Sequence, residues 1–241
     1  GALHAWIEFG NRLLTFVLLI VALAAVIIAA RLSSTSLNKM RIRSLAMLQI
    51  LGILGQGILG GITVLTDLHP LTVASHFMLS IFLIGGAISL RYEMVGVNSQ
   101  PATGITKLLL PILVWNTLLV LIAGTVVTGS GPHAGDDQAE RFNFDARVVS
   151  WLHADLVIAL LVLTALLFLI TRHSELKVLH KRVGLFLIVA LLQGLIGYVQ
   201  YFTGLPVVLV ALHLLGATLV WVSAWSLIKV ADSGFRLRGM N

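Results

Sequence analysis

Residues 13–30 have the sequence LLTFVLLIVALAAVIIAA, a run without a charged side chain. A helix needs about 20 consecutive, mostly apolar residues to cross the hydrocarbon core of a bilayer, and this run is the main part of a segment of that length. The chain contains seven such segments. They are residues 8–30, 44–66, 70–90, 108–129, 149–171, 183–204 and 206–230.

The composition indicates that lipid is the solvent of this chain. Of the 241 residues, 58% are hydrophobic and 11% are charged, whereas about a quarter of the residues of soluble domains are charged. The segments are too long for the strands of a membrane barrel, and they do not alternate apolar with polar residues. The sequence therefore predicts an all-α integral membrane protein with seven transmembrane helices and no soluble domain.

The basic residues lie mostly between the apolar segments. A nucleic-acid surface would gather them on one soluble face, so the formal net charge of +6 does not predict a nucleic-acid partner. Every second connection is basic, and the positive-inside rule assigns these connections to the cytoplasm. They and the C-terminal tail carry Arg31, Lys39, Arg41, Arg43, Arg91, Lys107, Arg172, Lys177, Lys181, Arg182, Lys229, Arg236 and Arg238. We therefore expect the N-terminus of this chain outside and the C-terminus in the cytoplasm.

An internal repeat relates the two halves of the chain. Residues 56–77 align without gaps on residues 193–214. The identical pairs include Gln56 and Gln193, Gly57 and Gly194, Gly60 and Gly197, Thr66 and Thr203, Leu68 and Leu205, and His76 and His213. The repeat predicts an eight-helix parent of two pseudo-symmetric four-helix bundles, with three helices of the first in residues 1–106 and all four of the second in residues 107–241.

The glycines of the repeat have a simpler explanation as small-residue contacts between helices. That explanation does not account for the histidine that follows each copy at the same distance. His76 and His213 lie six and seven residues after the prolines that open their segments, and His153 lies about one turn into its own. At about 1.5 Å per residue, all three are expected roughly 10 Å or less below the outer ends of their helices.

These histidines can be packing residues or ligands, and a single membrane histidine is more often the former. A low-spin six-coordinate heme takes two imidazole nitrogens from facing helices, which His153 and His213 would provide within one four-helix unit. In the first half, the position that matches His153 holds Asn11, a poor iron ligand. His76 would therefore be the one strong ligand there, and the open opposite face would suit a substrate.

Several polar residues near the same layer are further candidates. Glu8 lies one turn before Asn11 on the same helix face. A carboxylate at this depth is a functional candidate, because placing a charge in lipid costs free energy. Glu8 is explained equally well as a solvated acid in the first turn of a helix, stabilised by the helix dipole. Arg12 and Arg147 could neutralise heme propionates, but basic residues are also common at helix ends.

The remaining polar features carry weaker signals. Four histidines lie in predicted loops, where we expect them to be solvated: His69, His133, His173 and His180. The chain has no cysteine, which excludes disulfides and thiolate ligation of a metal or an iron–sulfur cluster by its own residues.

Five short motifs, taken in order, resemble the heme A synthase family. They are Glu8-Phe9-Gly10-Asn11-Arg12, Ser75-His76-Phe77, Thr128-Gly129-Ser130-Gly131, Trp151-Leu152-His153 and Ala211-Leu212-His213. The resemblance covers essentially the whole chain. That family has eight membrane helices in two four-helix halves, with a Glu-x-x-His-Arg motif at the start of the second helix and histidines on the fourth, sixth and eighth.

The resemblance implies an enzyme that oxidises a methyl group of heme O to the formyl group of heme A, in the plasma membrane of a prokaryote. It assigns Glu8 as the catalytic carboxylate, His153 and His213 as iron ligands of a resident heme b, His76 as the ligand of the substrate heme, and Asn11 and Arg12 to the same substrate site. Asn11 departs from the histidine that the family has there, and the family's cysteine pair is missing. The expected partners are membrane lipid, heme O handed over by heme O synthase, and an electron partner that the sequence does not identify.

Two other functions stay open at this stage. A diheme electron carrier of the cytochrome b561 kind would normally hold two bis-histidine hemes near opposite membrane faces, whereas the histidine layer here is one-sided. A transporter built from four-helix repeats would usually show broken helices or charges near mid-membrane. The central thirds of the seven segments have almost none.

Overall fold

The computed structural model describes residues 2–31, 36–95, 101–131 and 139–231, without the side chains of residues 2–8, 11–12 and 36–38. These ranges contain seven α-helices and no strand. The helices are α1 (Ala2–Arg31), α2 (Ser36–Leu65), α3 (Pro70–Val95), α4 (Ile105–Ser130), α5 (Ala146–Arg172), α6 (Lys177–Phe202) and α7 (Val207–Ala231). All seven are long and apolar enough to cross a membrane, so the chain is a multi-pass membrane protein, as predicted.

Three helices begin six or more residues before the apolar segments that predicted them, and the first of them is α1, which begins at Ala2 rather than at residue 8. α2 begins at Ser36 rather than at residue 44, and α6 begins at Lys177 rather than at residue 183. Basic residues expected in loops, such as Lys39 and Arg43, are therefore helical. Hydropathy detects only the part of a helix that lies in hydrocarbon, whereas lysine and arginine are good helix formers and extend the helix beyond it.

The turns before α3 and α7 have the same local geometry. In each, a threonine hydroxyl donates to the carbonyl four residues earlier, at 2.9 Å for Thr66 and 2.7 Å for Thr203. The leucine two residues later is left-handed in both turns, with φ of 59° at Leu68 and 61° at Leu205. The repeat in the sequence is thus also present in the backbone of the two connections that lead into α3 and α7.

The chain divides into two compact units. Unit 1 is Gly1–Asp67 with Ser75–Gly96, and unit 2 is Leu68–Ala74 with Val97–Asn241. In unit 2, the helices pack in a ring, because α4 contacts α5, α5 contacts α6, α6 contacts α7, and α7 contacts α4. Helices α5 and α7 therefore lie on a diagonal of a four-helix bundle.

In unit 1, α1 packs on α2, and all three helices meet in one apolar cluster. Its buried members are Ala29, Ile42, Ala46 and Leu90. Beside it, Nε of Arg41 lies 3.0 Å from the carboxylate of Glu93, which is 8% exposed. This pair links α2 to α3 at the end of the helices that is predicted to be cytoplasmic.

The buried core of unit 2 lies toward one end of its bundle. The fully buried residues of α5 fall within 160–171, those of α6 within 179–190, and those of α7 within 220–230. Those of α4 fall within 106–121, apart from Gly129. The opposite half of the bundle is less tightly packed, and that half contains His153 and His213.

Candidate functional site

His153 and His213 face each other across the bundle of unit 2. His153 lies seven residues into α5 and His213 six residues into α7, on the two diagonal helices. Their ring centroids are 6.5 Å apart, and the rings are inclined by 73°. Both side chains are half-buried. The fold thus brings together the two histidines that the sequence singled out as a pair.

The separation of the two rings suits a shared metal ion. An imidazole nitrogen binds a metal at about 2.0–2.1 Å, and its ring centroid lies about 1.1 Å further away, so two rings on opposite sides of one ion have centroids about 6.3 Å apart. Among the described residues, no group of three or more His, Cys, Asp or Glu side chains could hold a metal ion. Two imidazole nitrogens are the protein ligands that a low-spin heme iron takes, with the porphyrin supplying the other four.

Hydrogen bonding leaves one nitrogen of His153 free to act as a ligand. Its Nδ1 lies 3.1 Å from the carbonyl oxygen of Val120 on α4. A carbonyl can only accept a hydrogen bond, so Nδ1 carries the proton and Nε2 keeps its lone pair. Metal-binding histidines commonly donate their second N–H in this way, which fixes both the tautomer and the ring orientation.

The tightly packed core of unit 2 does not extend to the level of His153 and His213. On α5 the first fully buried residue is Leu160, and on α7 it is Val220. Each lies seven residues beyond its histidine, or about 10 Å along the helix. The tight core therefore ends about two turns short of the histidine level on both diagonal helices. The donor set at that level, two imidazoles from facing helices, fits a heme iron.

A glutamine from the preceding helix holds the backbone at two of the histidines. Nε2 of Gln56 donates to the carbonyl of His76 at 3.1 Å and to Oγ of Ser80 at 2.6 Å. Nε2 of Gln193 donates to the carbonyl of His213 at 2.7 Å. The Nδ1 atoms of both histidines are buried without a hydrogen-bond partner in the described part of the chain. His76 in unit 1 thus has the same local setting as His213 in unit 2.

For most of the other candidate residues, the structure gives less information than for the three histidines. Glu8, Asn11 and Arg12 lie on α1, but their side chains are outside the described residues, as is the whole of His133. Arg147 is exposed in the first turn of α5. Asp145 caps that helix, and its carboxylate accepts hydrogen bonds from the backbone N–H groups of residues 147 and 148.

Two of the histidines that were expected to be solvated are partly buried. The His180 ring stacks on Phe168 with centroids 4.4 Å apart, and its Nδ1 lies 3.0 Å from Oγ1 of Thr171. Nε2 of His69 lies 3.4 Å from the carboxylate of Glu140. The prediction was wrong for His180, which lies on α6 and packs against α5 in a way that hydropathy does not reveal. The side chain of His69 is still 39% exposed, so its pairing with Glu140 does not contradict the expected solvation.

The expectation for the fourth histidine of that group agrees with the structure. His173 follows the last residue of α5 and is exposed.

The sequence did not reveal the groups that hold the histidine rings and their backbone. Gln56 and Gln193 could have been recognised, because a polar glutamine in the apolar part of a span is unusual and occurs at matching places in both copies of the repeat. The carbonyl of Val120 gave no signal, because every residue has a carbonyl and its role depends on the packing of α4 against α5.

A comparison with known families identifies the family of the chain. The family model COX15-CtaA, described as cytochrome oxidase assembly protein, matches residues 2–225. The chain belongs to that family. The match spans nearly all of both units and confirms the resemblance to heme A synthases that the motifs indicated. No curated protein and no solved structure matches the chain.

Proposed function

We propose that this protein is a heme A synthase, which oxidises a methyl group of heme O to a formyl group and uses a bis-histidine heme b for electron transfer. Membership of the cytochrome oxidase assembly family supports the role in heme A formation. The observation that carries the finer assignment is the His153–His213 pair, whose 6.5 Å separation suits two axial ligands of one iron.

In unit 2, Nε2 of His153 and Nε2 of His213 would hold heme b. When bound, this heme supplies one-electron redox chemistry through its iron. The Val120 carbonyl keeps the proton of His153 on Nδ1, which leaves Nε2 available as a ligand. The Gln193 amide restrains the α7 backbone at His213, so the two ligands stay at a fixed separation while electrons pass.

In unit 1, His76 would bind the iron of the substrate heme from one side. Asn11 takes the place of a second strong ligand, so the opposite face of the substrate stays accessible to a reactant. Arg12 would pair with a propionate of the substrate, since guanidinium and carboxylate groups form strong charge-assisted hydrogen bonds. These residues would position heme O without closing both of its faces.

Glu8 would supply the base of the reaction. Oxidation of a methyl group to a formyl group, with water as the source of the oxygen atom, releases equal numbers of protons and electrons, so a carboxylate near the reacting carbon can accept a proton at each step. Glu8 lies one helical turn from Asn11 on α1. This spacing would place the carboxylate on the same side of the helix as the substrate face left accessible by Asn11.

The proposed setting is the plasma membrane of a prokaryote, with the N-terminus of this chain outside and the C-terminus in the cytoplasm. The distribution of lysine and arginine supports this orientation. Membrane lipid surrounds the helices, whose surfaces carry large exposed apolar side chains such as Phe16, Ile58 and Leu195. Heme O synthase would deliver the substrate, and a separate electron partner would accept the electrons.

The bound hemes of the purified protein test the proposal. The chain is produced together with heme O synthase in a host without its own heme A synthase, and the hemes are extracted and identified. Hemes B, O and A together support the proposed function. Heme B alone favours a diheme electron carrier, and the absence of heme favours a transporter; either result refutes the proposal.

A further inference from the structure

Each of the three histidines lies against a glycine of the preceding helix. A Cβ atom added to Gly60 would lie 3.3 Å from Cε1 of His76. The corresponding distance is 3.3 Å for Gly124 and His153, and it is 3.0 Å for Gly197 and His213. Nδ1 is among the nearest ring atoms in every case, at 3.6–3.7 Å. The same edge of each imidazole therefore faces a helix surface that carries no side chain.

Other glycines of the same helices do not have this contact. A Cβ atom added to Gly57 or Gly194 would have no neighbouring heavy atom within 4 Å. Each lies three residues before the glycine that touches a histidine, on the same helix. The close contact is therefore specific to one glycine of each pair and does not follow from a general abundance of small residues in the spans.

Because glycine has no side chain, the imidazole ring can approach the backbone of the preceding helix. Nδ1 of His153 reaches the carbonyl of Val120, which lies four residues before Gly124 and therefore one turn below it on the same face of α4. A side chain at Gly124 would push the ring edge away from that carbonyl. In the other two cases, the residue four positions before the glycine is the glutamine that holds the histidine backbone, Gln56 or Gln193.

We propose that Gly60, Gly124 and Gly197 are positioning residues for heme-iron ligands. Each sets the distance between one imidazole and the neighbouring helix, and so the place of Nε2 at the iron. This inference rests on the proposed function, because it assigns the three rings to heme iron. It also predicts different effects in the two units, since Gly124 and Gly197 act on heme b while Gly60 acts on the substrate heme.

Alanine substitutions with matched controls test this inference. The test variants are Gly124→Ala, Gly197→Ala and Gly60→Ala, and the controls are Gly194→Ala and Gly57→Ala. Two properties are measured on each purified holoprotein: the low-spin heme signal in electron paramagnetic resonance, and the rate at which heme b transfers to excess apomyoglobin. Alanine is a better helix former than glycine, so a loss in the test variants cannot come from weaker helices.

We expect Gly124→Ala and Gly197→Ala to weaken the low-spin signal and to release heme b about tenfold faster, the lower end of the effect of outer-shell changes at metal sites. Gly197→Ala should have the larger effect because its contact is tighter. Gly60→Ala should leave heme b unchanged and should lower the amount of heme O bound to the purified protein. Gly194→Ala and Gly57→Ala should match the wild type in both measurements.

Equal heme release from Gly197→Ala and Gly194→Ala, with Gly124→Ala also unchanged, would overturn the inference. The same holds if Gly124→Ala and Gly197→Ala both fail to fold while the controls fold, since the glycines would then serve the packing of the whole bundle. If only one of the two fails to fold, the other decides. A wild-type protein without heme would instead refute the proposed function, so the two failures are distinguishable.

Discussion

Nδ1 of His153 on α5 donates a hydrogen bond to the carbonyl oxygen of Val120 on α4, at 3.1 Å. Because this bond crosses between two helices, the packing of α4 on α5 sets the orientation of the imidazole. The ring then faces His213 on the diagonal helix α7, with centroids 6.5 Å apart. Gln193 on α6 holds the backbone at His213, so the geometry of the candidate ligand pair depends on all four helices of unit 2.

Removing either histidine of the pair should abolish the low-spin spectrum of heme b. In His153→Ala or His213→Ala, the iron would keep a single axial nitrogen and become five-coordinate. We expect the six-coordinate signal per protein to fall by at least about tenfold. Changes of outer-shell residues at metal sites already reduce metal affinity or activity by about tenfold or more, and the loss of a ligand should cost no less. Absorption and paramagnetic resonance spectra of the purified variants provide the measurement.

The exposed His173, just after the end of α5, provides the control for that experiment, and His173→Ala should retain the wild-type spectrum. A six-coordinate spectrum that survives in both His153→Ala and His213→Ala would refute the ligand assignment.

His76→Ala should separate the two heme sites. His76 belongs to unit 1 and the His153–His213 pair belongs to unit 2, so the heme b spectrum should stay near that of the wild type. Heme A formation should stop, because the substrate iron would lose its one strong protein ligand. If the variant stays folded but loses heme b as well, the model of two separate sites is wrong.

The sequence predicted the spans well because hydropathy is a local property. Seven helices occur in the described residues at the seven predicted positions. The start of α2 at Ser36 was missed, because its first turns are polar and lie outside the segment that hydropathy detects. The shared depth of His153 and His213 could be inferred from the constant rise of a helix.

The contacts of the histidines could not be predicted in the same way. Whether the ring of His153 points toward Val120 or toward lipid depends on the rotation of α5 about its axis and on the partner helix. The repeat indicated some of these contacts, since Gln56 and Gln193 each donate a hydrogen bond to the backbone carbonyl of the histidine in their own unit. Gly124 has no counterpart in the repeated stretch, and only the packed structure shows its contact with His153.

Glu8→Gln should impair the reaction and spare heme binding. Glutamine keeps the size and much of the hydrogen bonding of glutamate but cannot act as a base. We expect heme O to accumulate, together with a hydroxylated intermediate, while heme A falls by about tenfold or more, given the 10²–10⁴-fold contribution usual for a positioned acid or base. Chromatography of the extracted hemes measures this effect.

The exposed carboxylate of Glu140 offers a control, and Glu140→Gln should form heme A normally. If Glu8→Gln also gives a normal yield of heme A, Glu8 is only a first-turn acid that interacts with the helix dipole, worth about 0.3–1 kcal/mol.

The orientation in the membrane can be tested with single cysteines, because the chain has none of its own. Asn143 lies between α4 and α5, His173 lies between α5 and α6, and both are exposed. In intact cells, a membrane-impermeant maleimide should label Asn143→Cys, whereas His173→Cys should react only after the membrane is opened. The reverse pattern would show that the predicted orientation is inverted.

The most direct test of the central claim is the conversion of heme O by the purified protein in lipid. The protein is loaded with heme O and supplied with an electron acceptor in aqueous buffer, and its hemes are followed by mass spectrometry over time. We predict that heme O is consumed and heme A appears, and that neither change occurs with His76→Ala. Heme O that stays unchanged in wild-type protein with an intact low-spin heme b would contradict the account.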